Sequence, residues 1–361
     1  MKGGNPVAGA FEFMSPRLRP EYGLKPSADA GGTDNMAGDL RIVVIGQAAF
    51  GEKVVDALVE KGENVVGVFC SPDAEGRPAD PIKQAAEKHN IPVFQFRRMR
   101  RKVAIDAFLE LNTDLCVMAF VTDIVPDAIL EAPTKGTIQY HPSLLPKHRG
   151  PSSINWPIVE GETKTGLTIF WPDAGLDTGP VLLQKEVEIT PDDTLGTVYF
   201  GKLFDLGVDA MIEAVQMVTD GTAPSVAQDE SEATYEGWCR AENVVIDWSK
   251  SASDVYNMIR GGDPSPGANS TFNGAAIGFF KAGKMDGDTG RPAGEVVEIA
   301  DDGFRIAADG GSIWIGRVQQ EGQRKVMALE WVESVGLTEG ANSVPDPSPS
   351  EKQSYERNNL D

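Results

Sequence analysis

Continuous apolar runs alternate with amphipathic stretches over the first part of the chain. The run 41–46 predicts a buried strand, and the helical pattern that follows it to Lys61 completes the start of a βαβ unit. Further strands are predicted at 65–69, 92–94 and 114–120 and in the run that ends at His141. Strands that are apolar on both faces are typical of a parallel sheet covered by helices. The pattern therefore predicts an α/β fold with a Rossmann-like parallel sheet.

The pattern changes after Gly150. The runs 166–171 and 181–189 predict a strand pair, and one long helix is expected from Thr194 to about Thr219. Beyond it, a helix is predicted at 252–260 and short strands at 275–280, 294–300, 304–307, 312–317 and 325–332. Short strands separated by turn residues are typical of a small barrel. We therefore expect an OB-like β-barrel after the parallel sheet.

Composition divides the chain into five parts. Residues 1–39 are rich in Gly, Pro and Ala and are predicted to form a disordered N-terminal extension. The parallel-sheet domain is expected at 40–221 and the C-terminal β-barrel domain at 246–335, with the polar segment 222–245 as a linker. Residues 336–361 are polar and rich in Pro and Ser, and a disordered tail is predicted there.

The net charge of -21 limits the classes of partner. A protein that holds nucleic acid neutralises phosphates with clustered Lys and Arg, and the only dense basic cluster here is 97–102. That cluster is interpreted either as a solvated helix start or as a contact point for an anionic small molecule or a polyglutamate tail. We expect no nucleic-acid partner. No apolar run approaches the roughly 20 residues that cross a bilayer, so no membrane partner is expected either.

Cysteine usage is sparse. Cys70, Cys116 and Cys239 are odd in number, far apart and without a C-x-x-C spacing. Neither a disulfide framework nor a zinc site is expected from such a pattern. A reducing, cytoplasmic location fits these observations.

Two segments carry candidate chemistry. His141 ends a predicted strand and is followed by Pro142-Ser-Leu-Leu-Pro146, and Asp177 lies in Gly175-Leu-Asp-Thr-Gly179. Alone, the histidine could be a core residue and the aspartate a turn-forming residue. Strand ends of open α/β sheets are where ligands bind, and a histidine paired with an aspartate can transfer a proton. The other two histidines, His89 and His148, are expected at the surface.

The glycine-rich turn after the first strand does not predict a nucleotide site. Gly46-Gln-Ala-Ala-Phe-Gly51 is followed by Glu52, where a Walker A loop needs Lys. The spacing also differs from the G-x-G-x-x-G of dinucleotide-binding folds. We therefore interpret these glycines as tight turns between strand and helix.

The two candidate segments resemble the folate-dependent formyltransferase family. The motif Tyr140-His-Pro-Ser-Leu-Leu-Pro-Lys-His-Arg-Gly150, followed by Gly175-Leu-Asp-Thr-Gly179, is similar to that family, above all to the amino-terminal hydrolase domain of 10-formyltetrahydrofolate dehydrogenase. Shorter similar segments are 44–47, 67–69, 154–156, 233–237 and 259–261. The resemblance covers residues 40 to 332. It implies that 40–221 is a formyltransferase or hydrolase domain.

The resemblance also implies a substrate and a set of site residues. The substrate or formyl donor would be 10-formyltetrahydrofolate, with no metal. His141 and Asp177 would be catalytic, and Gln139 would polarise the formyl oxygen. The residues expected to bind substrate lie on three loops: Phe120, Val121, Thr122, Asp123 and Ile124; Pro172, Asp173, Ala174, Gly175 and Leu176; and Ser143.

Gln139 leaves the formyl acceptor open. Many members of the family have Asn at this place, whereas the hydrolase domain of the dehydrogenase has an apolar residue. Overall similarity favours water as acceptor, with formate and tetrahydrofolate as products. The amide of Gln139 favours transfer to an amine of a sugar, nucleotide or amino acid. Methionyl-tRNA ranks lowest among the acceptors because the chain is acidic.

Two further expectations concern the protein as a whole. A noncatalytic folate-binding module is the alternative of a different class, and the presence of both His141 and Asp177 argues against it. The chain ends without a carrier or an aldehyde dehydrogenase domain, so NADP-dependent oxidation is not expected of this polypeptide. A homo-oligomer is left open.

Overall fold

A seven-stranded sheet forms the first part of the computed structural model, which describes residues 40–272 and 275–341. Its strand order is β3-β2-β1-β4-β5-β6-β7. The strands are β1 (Arg41–Gly46), β2 (Asn64–Cys70), β3 (Val93–Gln95), β4 (Leu115–Ala119), β5 (Thr137–His141), β6 (Lys164–Phe170) and β7 (Val181–Glu188). The first five strands are parallel; β6 is antiparallel to β5, and β7 is antiparallel to β6. The prediction of a Rossmann-like parallel sheet is confirmed.

Helices cover both faces of this sheet. One face packs against α1 (Ala48–Glu60), α2 (Pro81–Lys88) and α7 (Phe204–Thr219), and the other against α3 (Lys102–Leu109) and α4 (Asp127–Leu130). The short helices α5 (Asn155–Val159) and α6 (Leu195–Val198) contribute to a separate apolar cluster. In β1, Ile42 and Val44 enter one apolar core while Val43 and Ile45 enter the other. Successive side chains of a strand point to opposite faces, so an uninterrupted apolar run fits a strand buried on both sides.

The long helix expected at 194–219 is interrupted. Thr194 begins α6 with a capping box, and a turn of π-helix at Tyr199–Leu203 separates α6 from α7. Gly221 follows the end of α7 with a φ of 69°, a conformation that costs glycine little. The extra residue of a π-turn has no signature in the apolar periodicity, and the sequence pattern therefore reads as one helix.

A six-stranded antiparallel sheet forms the second, barrel-like part. Its strands are β8 (Ala268–Phe272), β9 (Ala275–Asp286), β10 (Val296–Ala300), β11 (Gly303–Ala308), β12 (Gly311–Gln320) and β13 (Val326–Met327), with helices α8 (Ala252–Gly262) and α9 (Ala328–Val335). Its own core contains Trp248, Phe279 and Ile313. The small barrel-like fold agrees with the expected architecture.

Two elements of this second part differ from the prediction. The strand expected at 325–332 is only the two-residue β13, and α9 follows it. Ala328, Trp331 and Val332 are buried on one side, which is the spacing of a helix face. Strand β8 was not expected, because its Asn, Ser and Thr residues give it little apolar character.

The chain termini contribute nothing to this description. The N-terminal extension expected at 1–39 lies outside the described residues, and so do residues 342–361 of the expected tail. Among the helices within 40–272 and 275–341, none has the length and apolarity that crossing a membrane requires.

Candidate active site

His141 and Asp177 come together although 36 positions separate them along the chain. His141 is the last residue of β5 and Asp177 lies in the loop between β6 and β7. Both side chains are buried, and the distance from His141 Nδ1 to Asp177 Oδ2 is 3.6 Å. This separation is longer than a direct hydrogen bond, and it lies within the range of an ion pair when the ring is protonated.

The other ring nitrogen of His141 identifies the tautomer. Nε2 lies 2.9 Å from the backbone carbonyl oxygen of His148, which can only accept a hydrogen bond. Nε2 must therefore carry a hydrogen, and in the neutral ring the lone pair is on Nδ1. The lone pair consequently faces Asp177.

The loop 173–179 holds its shape through local contacts. Asp173 accepts hydrogen bonds from the Gly175 N–H and the Thr178 hydroxyl, at 3.0 and 2.5 Å. Asp177 has a φ of 55°, and its Oδ2 accepts a hydrogen bond of 2.9 Å from the N–H of Gly150. A Cβ at Gly179 would lie 1.8 Å from the carbonyl oxygen of Trp171, so only glycine fits there. Asp177 is thus presented by a tightly folded turn.

Gln139 shares its strand face with His141. It is half-buried on β5 and pairs with Met118 of β4 and Phe170 of β6. Side chains two apart on a strand point to the same side. Within the described part of the chain, the Gln139 amide makes no hydrogen bond with another protein group, so it is available to a ligand.

Ser143 supports the loop after β5. Its side chain is fully buried, and its hydroxyl donates a hydrogen bond of 2.6 Å to the carbonyl of Lys147. The Ser143 carbonyl accepts a hydrogen bond from the Thr168 hydroxyl at 2.7 Å. These contacts fix the path of the loop that contains His148 and Gly150.

The expected substrate loop after β4 lines a small cleft with a volume of about 30 Å³. The cleft opens at the carboxyl ends of the central strands, and its lining includes Gly46, Gln47, Cys70, Arg97, Phe120 and Thr122. Val121 and Asp123 also line it, whereas Ile124 is exposed outside it. Thr122 accepts a hydrogen bond from the Gln47 amide at 3.2 Å.

The second expected substrate loop lies apart from this cleft. Residues 173–176 are exposed and Pro172 is half-buried, and neither they nor His141 and Asp177 line the cleft. His141 ends β5, and β5 is the direct neighbour of β4. His141 therefore lies one strand away from the cleft. The loop 120–124 and His141 therefore lie at the carboxyl ends of neighbouring parallel strands, and the loop after the antiparallel strand β6 brings Asp177 to within 3.6 Å of His141.

His148 is buried, and the expectation that it lies at the surface is wrong. Its Nδ1 is 3.2 Å from Glu236 and its Nε2 is 3.2 Å from Glu162. Burial lowers the pKa of His148, but the hydrogen bonds and charges of the two carboxylates outweigh this effect and raise the pKa to about 9. The ring is therefore an imidazolium at neutral pH. The glutamates are 14 and 88 positions away, so no local pattern signals this contact.

Among the described residues, there is little support for a metal site or for a reactive cysteine. His148, Glu160 and Glu236 bring potential ligand atoms within 4.8 Å of one another, and a metal ion there would have to displace a proton from the His148 imidazolium. Cys70, Cys116 and Cys239 are buried and unpaired. Burial raises their pKa values to about 11, 12 and 12, which removes the thiolate form at neutral pH.

Comparison with known proteins places the chain in a family. The model of the formyl transferase domain matches residues 40–215, and that of the formyl transferase C-terminal domain matches 239–336. A methionyl-tRNA formyltransferase of Geobacter metallireducens is 34% identical over 310 residues, which are 84% of this chain and 98% of that protein. The chain belongs to the formyltransferase family. The resemblance seen in the two sequence motifs is thereby confirmed.

Other members of the formyltransferase family are longer than this chain. The mitochondrial 10-formyltetrahydrofolate dehydrogenase of Mus musculus is 42% identical over 265 residues, which are 72% of this chain and 28% of that protein. The chain thus spans under a third of this relative. The crystal structure of HypX from Aquifex aeolicus in complex with tetrahydrofolic acid has a TM-score of 0.60 at 18% identity, covering 82% of this chain and 47% of that one. At this identity the likeness supports a shared fold.

Proposed function

We propose that this chain removes the formyl group of 10-formyltetrahydrofolate by hydrolysis, producing tetrahydrofolate and formate. The observation that carries the proposal is the buried pair of His141 and Asp177, with Nδ1 and Oδ2 3.6 Å apart at the strand edge. The 42% identity to a protein named 10-formyltetrahydrofolate dehydrogenase supports the choice of substrate.

The tautomer of His141 suggests how protons move. Nδ1 takes a proton from water while the oxygen attacks the formyl carbon, and the Gln139 amide donates a hydrogen bond to the developing oxyanion. Asp177 then lies beside the new imidazolium and stabilises its charge. The tetrahedral intermediate collapses as the bond between carbon and N10 breaks. His141 returns the proton to N10, and formate leaves.

Folate binding is proposed for the loops 120–124 and 172–176. The first lines the cleft beside β5, and its exposed Phe120 offers an aromatic surface to a pterin ring. Asp123 is held by Arg98 at 3.1 Å and by the Met99 N–H at 2.7 Å, which steadies this loop. HypX has the same fold and was crystallised with tetrahydrofolic acid, which supports a folate site here.

Transfer to a small amine is the second candidate, and one observation limits the amine. Asp80 Oδ1 accepts a hydrogen bond of 2.8 Å from the N–H of Ala48, the first residue of α1. The first turn of a helix after β1 is where open α/β sheets bind phosphate, and a carboxylate there repels one. The geometry therefore favours water, or an amine without phosphate, over a nucleotide-linked acceptor.

A turnover experiment decides between these functions. Purified protein is given 10-formyltetrahydrofolate without an amine, and folate absorbance and formate are followed. We expect formate release that is lost in His141→Ala and Asp177→Ala and kept in His89→Ala, which removes a histidine whose ring bonds to Asp56. Folate that binds but stays intact until an amine is added would support transfer instead. Binding without any turnover would support a noncatalytic module.

A cytoplasmic location, without nucleic acid or membrane as partner, is part of the same proposal. The three unpaired cysteines fit a reducing compartment, and the net charge of -21 disfavours phosphate backbones. Fractionation of the source cells tests the location, and accumulation in an organelle such as the mitochondrion would contradict it.

A further inference from the structure

The segment 222–245 contacts both loops that carry the catalytic pair. Near its start, Val226 exchanges two backbone hydrogen bonds with Val181, of 2.7 and 2.9 Å, just beyond the Asp177 loop. Ten residues later it follows the loop after β5, where the Glu236 N–H donates to the carbonyl of Arg149 at 3.2 Å. The sequence predicts a linker here, but backbone bonds on both sides of the site hold the segment in place.

Gln228 lies between Val226 and Glu236, and every hydrogen-bonding position of its side-chain amide is occupied. Nε2 donates to the carbonyl oxygens of Asp177 and Gly179, at 2.9 and 2.6 Å. Oε1 accepts from Nε and Nη2 of Arg149, at 3.1 and 2.8 Å. An amide has two donors and two acceptor sites, so all four are occupied. Because carbonyls only accept and a guanidinium only donates, the amide cannot be turned over.

Arg149 is itself fixed from the other side. Its side chain is almost fully buried, and it also donates to both carboxylate oxygens of Glu230, at 2.7 and 3.0 Å. Its guanidinium lies 5.3 Å from the ring centre of Tyr235, whose hydroxyl donates to the carbonyl of Leu176 at 2.9 Å. Three backbone carbonyls of the Asp177 loop, at positions 176, 177 and 179, are thus held by the same segment.

We propose that Gln228 is a positioning residue for the reaction: its amide holds the backbone of the Asp177 loop so that the Asp177 carboxylate faces His141. Gln228 acts on the loop carbonyls and not on the substrate. Asp177 has a left-handed backbone, which non-glycine residues adopt rarely, so its conformation depends on the surrounding contacts. The inference depends on the proposed hydrolysis only for its kinetic readout.

Two variants separate donation to the loop from general packing. Gln228→Ala removes all four bonds, whereas Gln228→Glu keeps the shape and both acceptors for Arg149 but places a carboxylate against two carbonyls. If donation matters, both variants lower kcat by about tenfold or more, which corresponds to about 1.4 kcal/mol. Gln216→Ala is the matched control, because the side-chain amide of Gln216 bonds to Asp220 at the end of its own helix, away from the Asp177 loop. Full activity of Gln228→Glu would overturn the proposal.

A double variant tests whether Gln228 acts through Asp177. Once Asp177→Asn has removed the carboxylate, adding Gln228→Ala should lower kcat by less than about twofold further, because the two changes affect one interaction. Independent losses that multiply would show that Gln228 has another role and would refute the proposal.

Hydrogen exchange makes the test independent of turnover. In Gln228→Ala, the amides of 173–180 should exchange at least about fivefold faster, while those of β1 and β4 should not change. This result would support the positioning role even if the wild-type protein had no hydrolase activity. Unchanged exchange in 173–180 would overturn the role, and faster exchange over the whole chain would assign Gln228 to global stability.

Discussion

His141 donates a hydrogen bond through Nε2 to the backbone carbonyl of His148, 2.9 Å away. The six residues between them belong to the loop after β5, and the carbonyl is held because the side chain of His148 is buried between Glu162 and Glu236. The orientation of the His141 ring, which is predicted to be catalytic, therefore depends on the position of His148, an imidazolium with two carboxylate partners.

The contacts of His148 with the two glutamates predict that the free energy of unfolding depends on pH. The folded-state pKa of His148, about 9, lies above the usual value of 6.5, so its contribution is complete below pH 6.5 and is lost as pH rises through 9. We expect the free energy of unfolding to fall by about 1 to 3 kcal/mol over this range. Urea unfolding at several pH values measures it. In His148→Gln the fall between pH 6.5 and 9 should be smaller, and an unchanged slope would contradict the assignment.

Position 150, in the same loop, has no room for a side chain. It has a φ of 107°, an added Cβ would lie 2.4 Å from the carbonyl oxygen of Glu236, and its N–H bonds to Asp177. We expect Gly150→Ala to lower the free energy of unfolding by about 2 to 4 kcal/mol and to reduce turnover strongly.

Gly62→Ala is the control for the effect of positive φ alone. Gly62 has a φ of 83° and open space around it, so its substitution should cost only about 1 kcal/mol and leave turnover unchanged. Equal losses in the two variants would attribute the Gly150 effect to backbone conformation and not to the contact with Glu236.

The sequence was sufficient for those features that depend on local patterns or on a shared motif. The apolar strands gave the parallel sheet, and the two motifs brought His141 and Asp177 into one family signature. The burial of His148 and the contacts of Gln228 could not be predicted in this way, because their partners lie up to 88 and 79 positions away. A single sequence contains no signal that relates such positions.

We predict that removing the Gln139 amide lowers the rate of the reaction more than it weakens substrate binding. This amide has no hydrogen-bond partner among residues 40–272 and 275–341, it lies on the face of β5 that holds His141, and it should stabilise the oxyanion more than the ground state. We expect Gln139→Leu to lower kcat by about 10 to 100-fold and to change KM less than about threefold. Gln139→Asn keeps a donor on a shorter arm and should retain part of the rate. Equal kcat in wild type and Gln139→Leu would remove the amide from the mechanism.

Because the Asp80 carboxylate lies at the start of α1, we predict that amines bearing a phosphate group bind poorly. The Asp80 carboxylate bonds to the first N–H of α1 and, at 3.0 Å, to Ile82, where it also caps α2. Titration calorimetry of the wild type with inorganic phosphate or a nucleoside diphosphate should therefore give no measurable binding at millimolar concentration. Asp80→Asn keeps the cap through its amide oxygen and removes the charge, so weak phosphate binding should appear. Tight binding of a nucleoside diphosphate to the wild type would instead show that the carboxylate does not repel phosphate, and it would favour a nucleotide-linked acceptor for the formyl group.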